Sequence, residues 1–151
     1  INSGEGLERA HTLNLFGCSK VLDVSTLGDV HTLDLSWCSR VRDVSMLGSV
    51  HTLKLYECSA VTNVSSLGDV HTLDLSGCYA ITDVSALGGV HTLMLNNCTG
   101  ITDVSALSSV KNLDLTGCSG VTDVSMLSDV PALIPPRHIL MEQIRKYDIK
   151  F

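Results

Sequence analysis

The sequence predicts an α/β solenoid, a stack of short coils whose extended segments pair into one parallel sheet, closed at its far end by a helix. Three observations predict it. Cutting the chain before each "HTL", and before "KNL" in the last case, leaves six twenty-residue units at 11–30, 31–50, 51–70, 71–90, 91–110 and 111–130. Self-similarity at a fixed period of this length marks stacked repeats. Within a unit, places 3, 5, 8, 14, 15, 17 and 20 always hold Leu, Leu, Cys, Val, Ser, Leu and Val, and place 11 holds Val or Ile. The composition is 44% hydrophobic but only 4% aromatic, so the core must be built from many equal aliphatic side chains.

Each element follows from the unit in order. Places 3 and 5 are two apart, which puts Leu33 and Leu35 on one face of an extended segment and sends places 2, 4 and 6 to the other. The Gly, Asn and Ser residues around Cys78 and Cys98 suit a turn after place 6. In "TDVS" the place-13 carboxylate, such as Asp83 or Asp103, can accept from the backbone N–H groups of a short helical turn, and Asn63 offers an amide oxygen for the same purpose. Seven places face inward: 3, 5, 8, 11, 14, 17 and 20. Burying one such side chain stabilises by roughly 1.5–3 kcal/mol, whereas ordering one residue's backbone costs about 1–2 kcal/mol. One coil alone therefore does not fold, and stacking on two neighbours makes it stable.

The ends depart from the pattern. "VPALIPPRHIL" begins a seventh unit at Val130 and Leu133, and Pro135 and Pro136 stop its strand. "RHILMEQIRKY" predicts a helix with Ile139, Leu140, Ile144 and Tyr147 toward one side, a C-terminal cap within 131–151. At the start, residues 1–10 read as a partial repeat in which Leu7 and Ala10 match places 17 and 20. An incompletely covered first coil predicts a monomer with a tendency to dimerise end to end. The chain opens Ile1-Asn2-Ser3 without a Met, which admits a leader or further repeats upstream.

At 151 residues the chain can bury a sizeable core as one structural unit. Residues 11–130 carry twelve acidic and five basic side chains, against two and four in 131–151. An acidic main surface argues against nucleic acid as a partner. No apolar run approaches the roughly 18 residues of a membrane span.

The unit "VHTLDLSGCYAITDVSALGGV" resembles the leucine-rich repeat pattern, and its second half is similar to the short "ITDISPL" repeats of the internalin-like class. The resemblance covers about residues 10–133 in six in-phase copies. It implies a right-handed superhelix with a parallel sheet on the concave face and short turns or 3-10 helices on the convex face. The activity it implies is non-catalytic binding of a protein or peptide, expected on the concave face. The unit is shorter than in most members, and no cysteine-rich cap precedes the first repeat.

The place-8 column is Cys18, Cys38, Cys58, Cys78, Cys98 and Cys118. Adjacent coils stand about 4.8 Å apart, a separation compatible with disulfides. Three bridges would pair the coils two by two, however, and the repeats have no two-unit period. Six reduced, inward thiols are expected, and with them an intracellular, cytoplasmic setting. The spacing is not that of a zinc site. The residues imply no metal, no cofactor and no catalytic set, because an inward Cys cannot reach the His at the start of the strand.

Two polar columns admit further readings. His11, His31, His51, His71 and His91 read first as polar strand starts copied by duplication; charged together, they would repel one another in acid. The Thr column at place 2 could order water as an ice-binding row, but the uneven, charged residues beside it at place 4 argue against that. Recognition is expected where the units differ. Phe16, Trp37 and Tyr56 are half of the six aromatic residues and lie in the first three units, and exposed aromatics favour interfaces. With Asp34, Lys54, Glu57, Asp74 and Met94 they form the candidate partner-binding set. The alternative is a structural or surface solenoid whose units merely drifted.

Overall fold

The computed structural model describes residues 10–148 and 150. The partial repeat read at 1–10, with Leu7, lies outside the described residues except for Ala10. Seven three-residue strands form one parallel sheet in the order β1 to β7: Thr12–Asn14, Thr32–Asp34, Thr52–Lys54, Thr72–Asp74, Thr92–Met94, Asn112–Asp114 and Ala132–Ile134. Neighbouring strands pair without slip, so Leu13 opposes Leu33, Leu33 opposes Leu53, and so on to Leu133. A repeat of constant length imposes this register, because one slipped residue would turn every inward Leu to water. The ladder runs on past the strands: Leu35 N–H donates to Lys54 O at 2.9 Å and Trp37 N–H to Tyr56 O at 2.8 Å.

Beyond place 5 the chain advances inward every third residue. The reason lies in the backbone, where N–H groups at places 8, 11, 17 and 20 donate to carbonyls three residues back. Cys38 to Leu35, Val41 to Cys38, Leu47 to Val44 and Val50 to Leu47 do so at 3.0–3.1 Å. Each turn therefore returns one side chain to the core. In the second to fifth coils all seven inward places are at most 1% exposed. The end coils are looser, with Leu13, Cys18 and Val21 in the first and Val124 in the sixth only partly buried.

The turns opposite the sheet vary with one residue. Four are 3-10 helices: Ser45–Leu47, Ser85–Gly89, Ser105–Leu107 and Ser125–Leu127. These have Met or Ala at place 16, whereas the first and third coils have Thr26 and Ser66 there and form plain turns. The same place-17 N–H to place-14 carbonyl bond closes all six turns at 2.9–3.0 Å. In all six coils the place-13 side chain accepts from the place-15 backbone N–H, for example Asp83 Oδ1 from Ser85 at 2.9 Å. Place 18 is Gly in the first four coils; a Cβ on Gly88 would stand 2.5 Å from the Ala106 carbonyl oxygen of the next coil.

The helix α1 spans Arg137–Tyr147, directly after Pro136. It ends where Asp148 adopts a left-handed conformation (φ 49°) and its N–H bonds Ile144 O. Only part of the predicted apolar side packs: Ile139 is buried and Ile144 half-buried, while Leu140 and Tyr147 are exposed. His138 Nε2 donates to Val121 O at 2.7 Å and ties the helix to the sixth coil.

Candidate functional site

The outward side of the sheet carries places 2 and 4, and the turn beyond it carries places 6 and 7. Place 7 has a positive φ in every coil: Gly17 (70°), Trp37 (63°), Glu57 (56°), Gly77 (76°), Asn97 (60°) and Gly117 (75°). This left-handed corner frees the place-8 residue to turn inward. Gly and Asn adopt it readily, and a bulky residue there is an outlier. The three glycines and Asn97 were the available sequence signal, and the residue types that vary most at this place concealed it.

Phe16, Trp37 and Tyr56 are exposed along the same edge. The Trp37 and Tyr56 rings meet edge to face with centroids 5.9 Å apart, an arrangement that aromatic quadrupoles favour. Lys54 is exposed on β3, and Glu57 is half-buried. The Glu57 side chain lies over the next turn, where a Cβ on Gly77 would come within 2.5 Å of it. Among the described residues no ion pair forms on this face, so Lys54 has no carboxylate partner there.

Alternation sends place 6 outward, and Phe16 and Tyr56 obey it. Ser36 and Ser76 instead are 4% and 5% exposed. Each stands in a column beside larger side chains, Ser36 between Phe16 and Tyr56, and Ser76 between Tyr56 and Asn96. The Ser76 hydroxyl donates to Asn96 Oδ1 at 3.1 Å. A small side chain in such a column is covered by its neighbours.

Asp34 and Asp74 serve a local need. Each accepts the place-6 N–H through Oδ1 at 2.9 Å, as Asn14 and Asp114 do in their coils. This closes the strand end by a side-chain turn. Lys54 and Met94 cannot accept such a bond, so their side chains are free of this duty. Met94 lies apart from the aromatic edge: it lines a shallow apolar depression with Leu93, Leu113, Ala132 and Ile134. Phe16, Asp34, Trp37, Lys54, Tyr56 and Glu57 thus share the first three coils, while Asp74 and Met94 belong to the fourth and fifth.

The cysteines face inward as a ladder. Sγ of Cys38, Cys58, Cys78, Cys98 and Cys118 donates to the place-5 carbonyl of the preceding coil at 2.9–3.2 Å. All six thiols are free. Burial pushes the Cys58 and Cys98 thiols up to about 12 and Cys118 to about 11, and raises Cys38 and Cys78 as well. Among the described residues no group of three or more His, Cys, Asp or Glu side chains is arranged to hold a metal ion. No helix there is long and apolar enough to cross a membrane.

No protein-family model and no curated protein sequence matches the chain. Among solved structures it is similar to an internalin of Listeria monocytogenes at 21% identity, over 89% of this chain and 49% of that one, with a TM-score of 0.55. It also aligns with the leucine-rich repeat domain of the type III effector XopL at 18% identity, over 74% and 55% of the two chains, at a TM-score of 0.45. The chain spans about half the length of that first internalin. The likeness is one of fold, that of a leucine-rich repeat solenoid.

Proposed function

From a leucine-rich repeat solenoid that carries three exposed aromatics, Phe16, Trp37 and Tyr56, along one edge of its first three coils, we propose a non-catalytic scaffold that binds a protein or peptide on its concave face. Phe16, Trp37 and Tyr56 are the anchors, Lys54 and Glu57 orient the partner, and Asp34, Asp74 and Met94 extend the contact surface. The observation that carries this reading is Trp37. It holds a left-handed conformation at φ 63° where three other coils use Gly, and the residue remains 48% exposed. Strain of this kind costs about 1–3 kcal/mol; the edge-to-face pair with Tyr56 offsets part of it, and contact with another molecule would account for the rest. Rigid exposed Trp and Tyr supply large contact area with few torsions to freeze.

The test compares the native chain with a Phe16→Ala, Trp37→Ala, Tyr56→Ala variant as baits in lysate of the source organism. All three side chains are exposed, so circular dichroism of the variant should match the native protein. A protein retained only by the native chain, and then shown to bind it directly in purified form with at least tenfold weaker affinity for the variant, supports the reading. Identical background on both baits rejects it in favour of a solenoid without a specific partner.

A further inference from the structure

The five histidines that open the first five coils are brought into a single stack. Because the strands pair place for place, ring centroids from His11 through His31, His51 and His71 to His91 follow one another at 4.5, 4.6, 4.6 and 4.5 Å, with planes 8–13° apart. That spacing is close to the roughly 4.8 Å between strands, so the fold itself holds the rings together. In His31, His51, His71 and His91, Nδ1 lies 3.1–3.3 Å from the hydroxyl of the following Thr, which fixes the ring's orientation. All five residues are exposed to water.

Neutral imidazoles tolerate this stacking; adjacent imidazolium ions at the same spacing repel. The Debye length at physiological ionic strength is about 8 Å, so nearest neighbours in the row are poorly screened. Second neighbours, about 9 Å apart at twice the ring spacing, lie near the limit of the interaction. Other groups along the row are few. Lys111 continues it beyond His91, Asp29 and Asp69 precede His31 and His71 by two residues, and each ring is flanked in sequence by an uncharged Val and Thr or, for His11, by Ala10 and Thr12. Desolvation, and then the charges of His11 and His51, hold the pKa of His31 below its ordinary value.

We propose that the stacked imidazoles form an acid-sensitive seam, in which alternate rings charge first and full charging weakens coil stacking along the strand-start edge. The direction follows from proton counts. His31, held lower in the folded chain than the roughly 6.5 of an unfolded one, binds fewer protons when folded, so its contribution makes stability fall as pH drops below that value. The place-13 aspartates act in a separate window. Hydrogen bonds from the place-15 serines hold Asp23, Asp43, Asp83, Asp103 and Asp123 below 3.8, so their contribution is lost only in stronger acid.

The test is a histidine-ring NMR titration of the full chain from pH 8 to 4.5 at 20 mM and 1 M salt, with thermal melting at the same pH values. A His31→Gln, His71→Gln variant, which leaves three rings separated by an empty place, is melted alongside. In the native chain the stack should titrate with Hill slopes below one in low salt, rising toward one in 1 M salt, where the Debye length is about 3 Å. The drop in Tm from pH 7.5 to 5 should shrink by half or more in the variant. Slopes of one at both salt concentrations, or an equal drop in Tm for both proteins, would overturn the proposal; the native titration decides the first point even if the variant folds poorly.

Discussion

The cysteine and histidine columns recur with the same period, in six and five coils, yet they stand on opposite terms with water. From Cys38 on the place-8 thiols are sealed inside, each donating to a carbonyl of the coil before it. The place-1 imidazoles stack outside and touch across coils only through their rings. Repetition supplies the columns; the side of the backbone they face decides their chemistry. Inside, burial keeps the thiols protonated and inert. Outside, the protonation state stays open to the solvent and to every neighbouring charge in the row.

The largest effect that would break this comparison is on thiol reactivity. Raising a thiol from 9.0 to about 12, as burial does for Cys58 and Cys98, lowers its thiolate fraction at pH 8 roughly a thousandfold. Exclusion of the reagent slows reaction further. A thiol-reactive dye at pH 8 should label the partly exposed Cys18 first, and the other five only on unfolding. Rapid labelling of all six thiols in folded protein, followed by mass spectrometry, would show that the column is open.

A second effect separates core from edge by stability. Leu75 is fully buried in the fourth coil, whereas Tyr56 is 39% exposed. Leu75→Ala should cost about 2–5 kcal/mol through lost burial and a cavity, and Tyr56→Ala, which loses its edge-to-face pair with Trp37, only about 0.5–1.5 kcal/mol. Urea unfolding of both variants measures the contrast. Equal costs would mean that the aromatic edge is part of the structural core and is not held free for contact.

The inward columns could be read before any coordinates because each is one residue type repeated at a fixed place, as with Leu33, Cys38 and Val41. The helix at 137–147 was equally legible, since Pro135 and Pro136 mark its start. What escaped depends on neighbours across coils. Ser36 and Ser76 sit at an outward place and are buried only because larger side chains flank them, a relation with no signature along the chain. The turn duty of Asp34 and Asp74 was within reach, because Asn14 and Asp114 share their place and these residue types close strand ends. The stacked rings were also implied, since one residue per coil in an unslipped parallel sheet must stand one strand spacing from the next.

The smallest effect bears on the outer edge itself. Trp37→Gly puts the residue used by Gly17, Gly77 and Gly117 into the same left-handed corner. Relief of the backbone strain, worth about 1–3 kcal/mol, is offset by the greater freedom Gly gives the unfolded chain and by loss of the edge-to-face contact with Tyr56. The net change should be a stabilisation of no more than about 1 kcal/mol, read as a slightly raised Tm, together with loss of partner binding. Stability and binding would then move in opposite directions at one residue, as expected where a surface side chain is kept for contact at the expense of the fold. A clear fall in Tm would instead assign Trp37 a packing role and place it with the sealed columns.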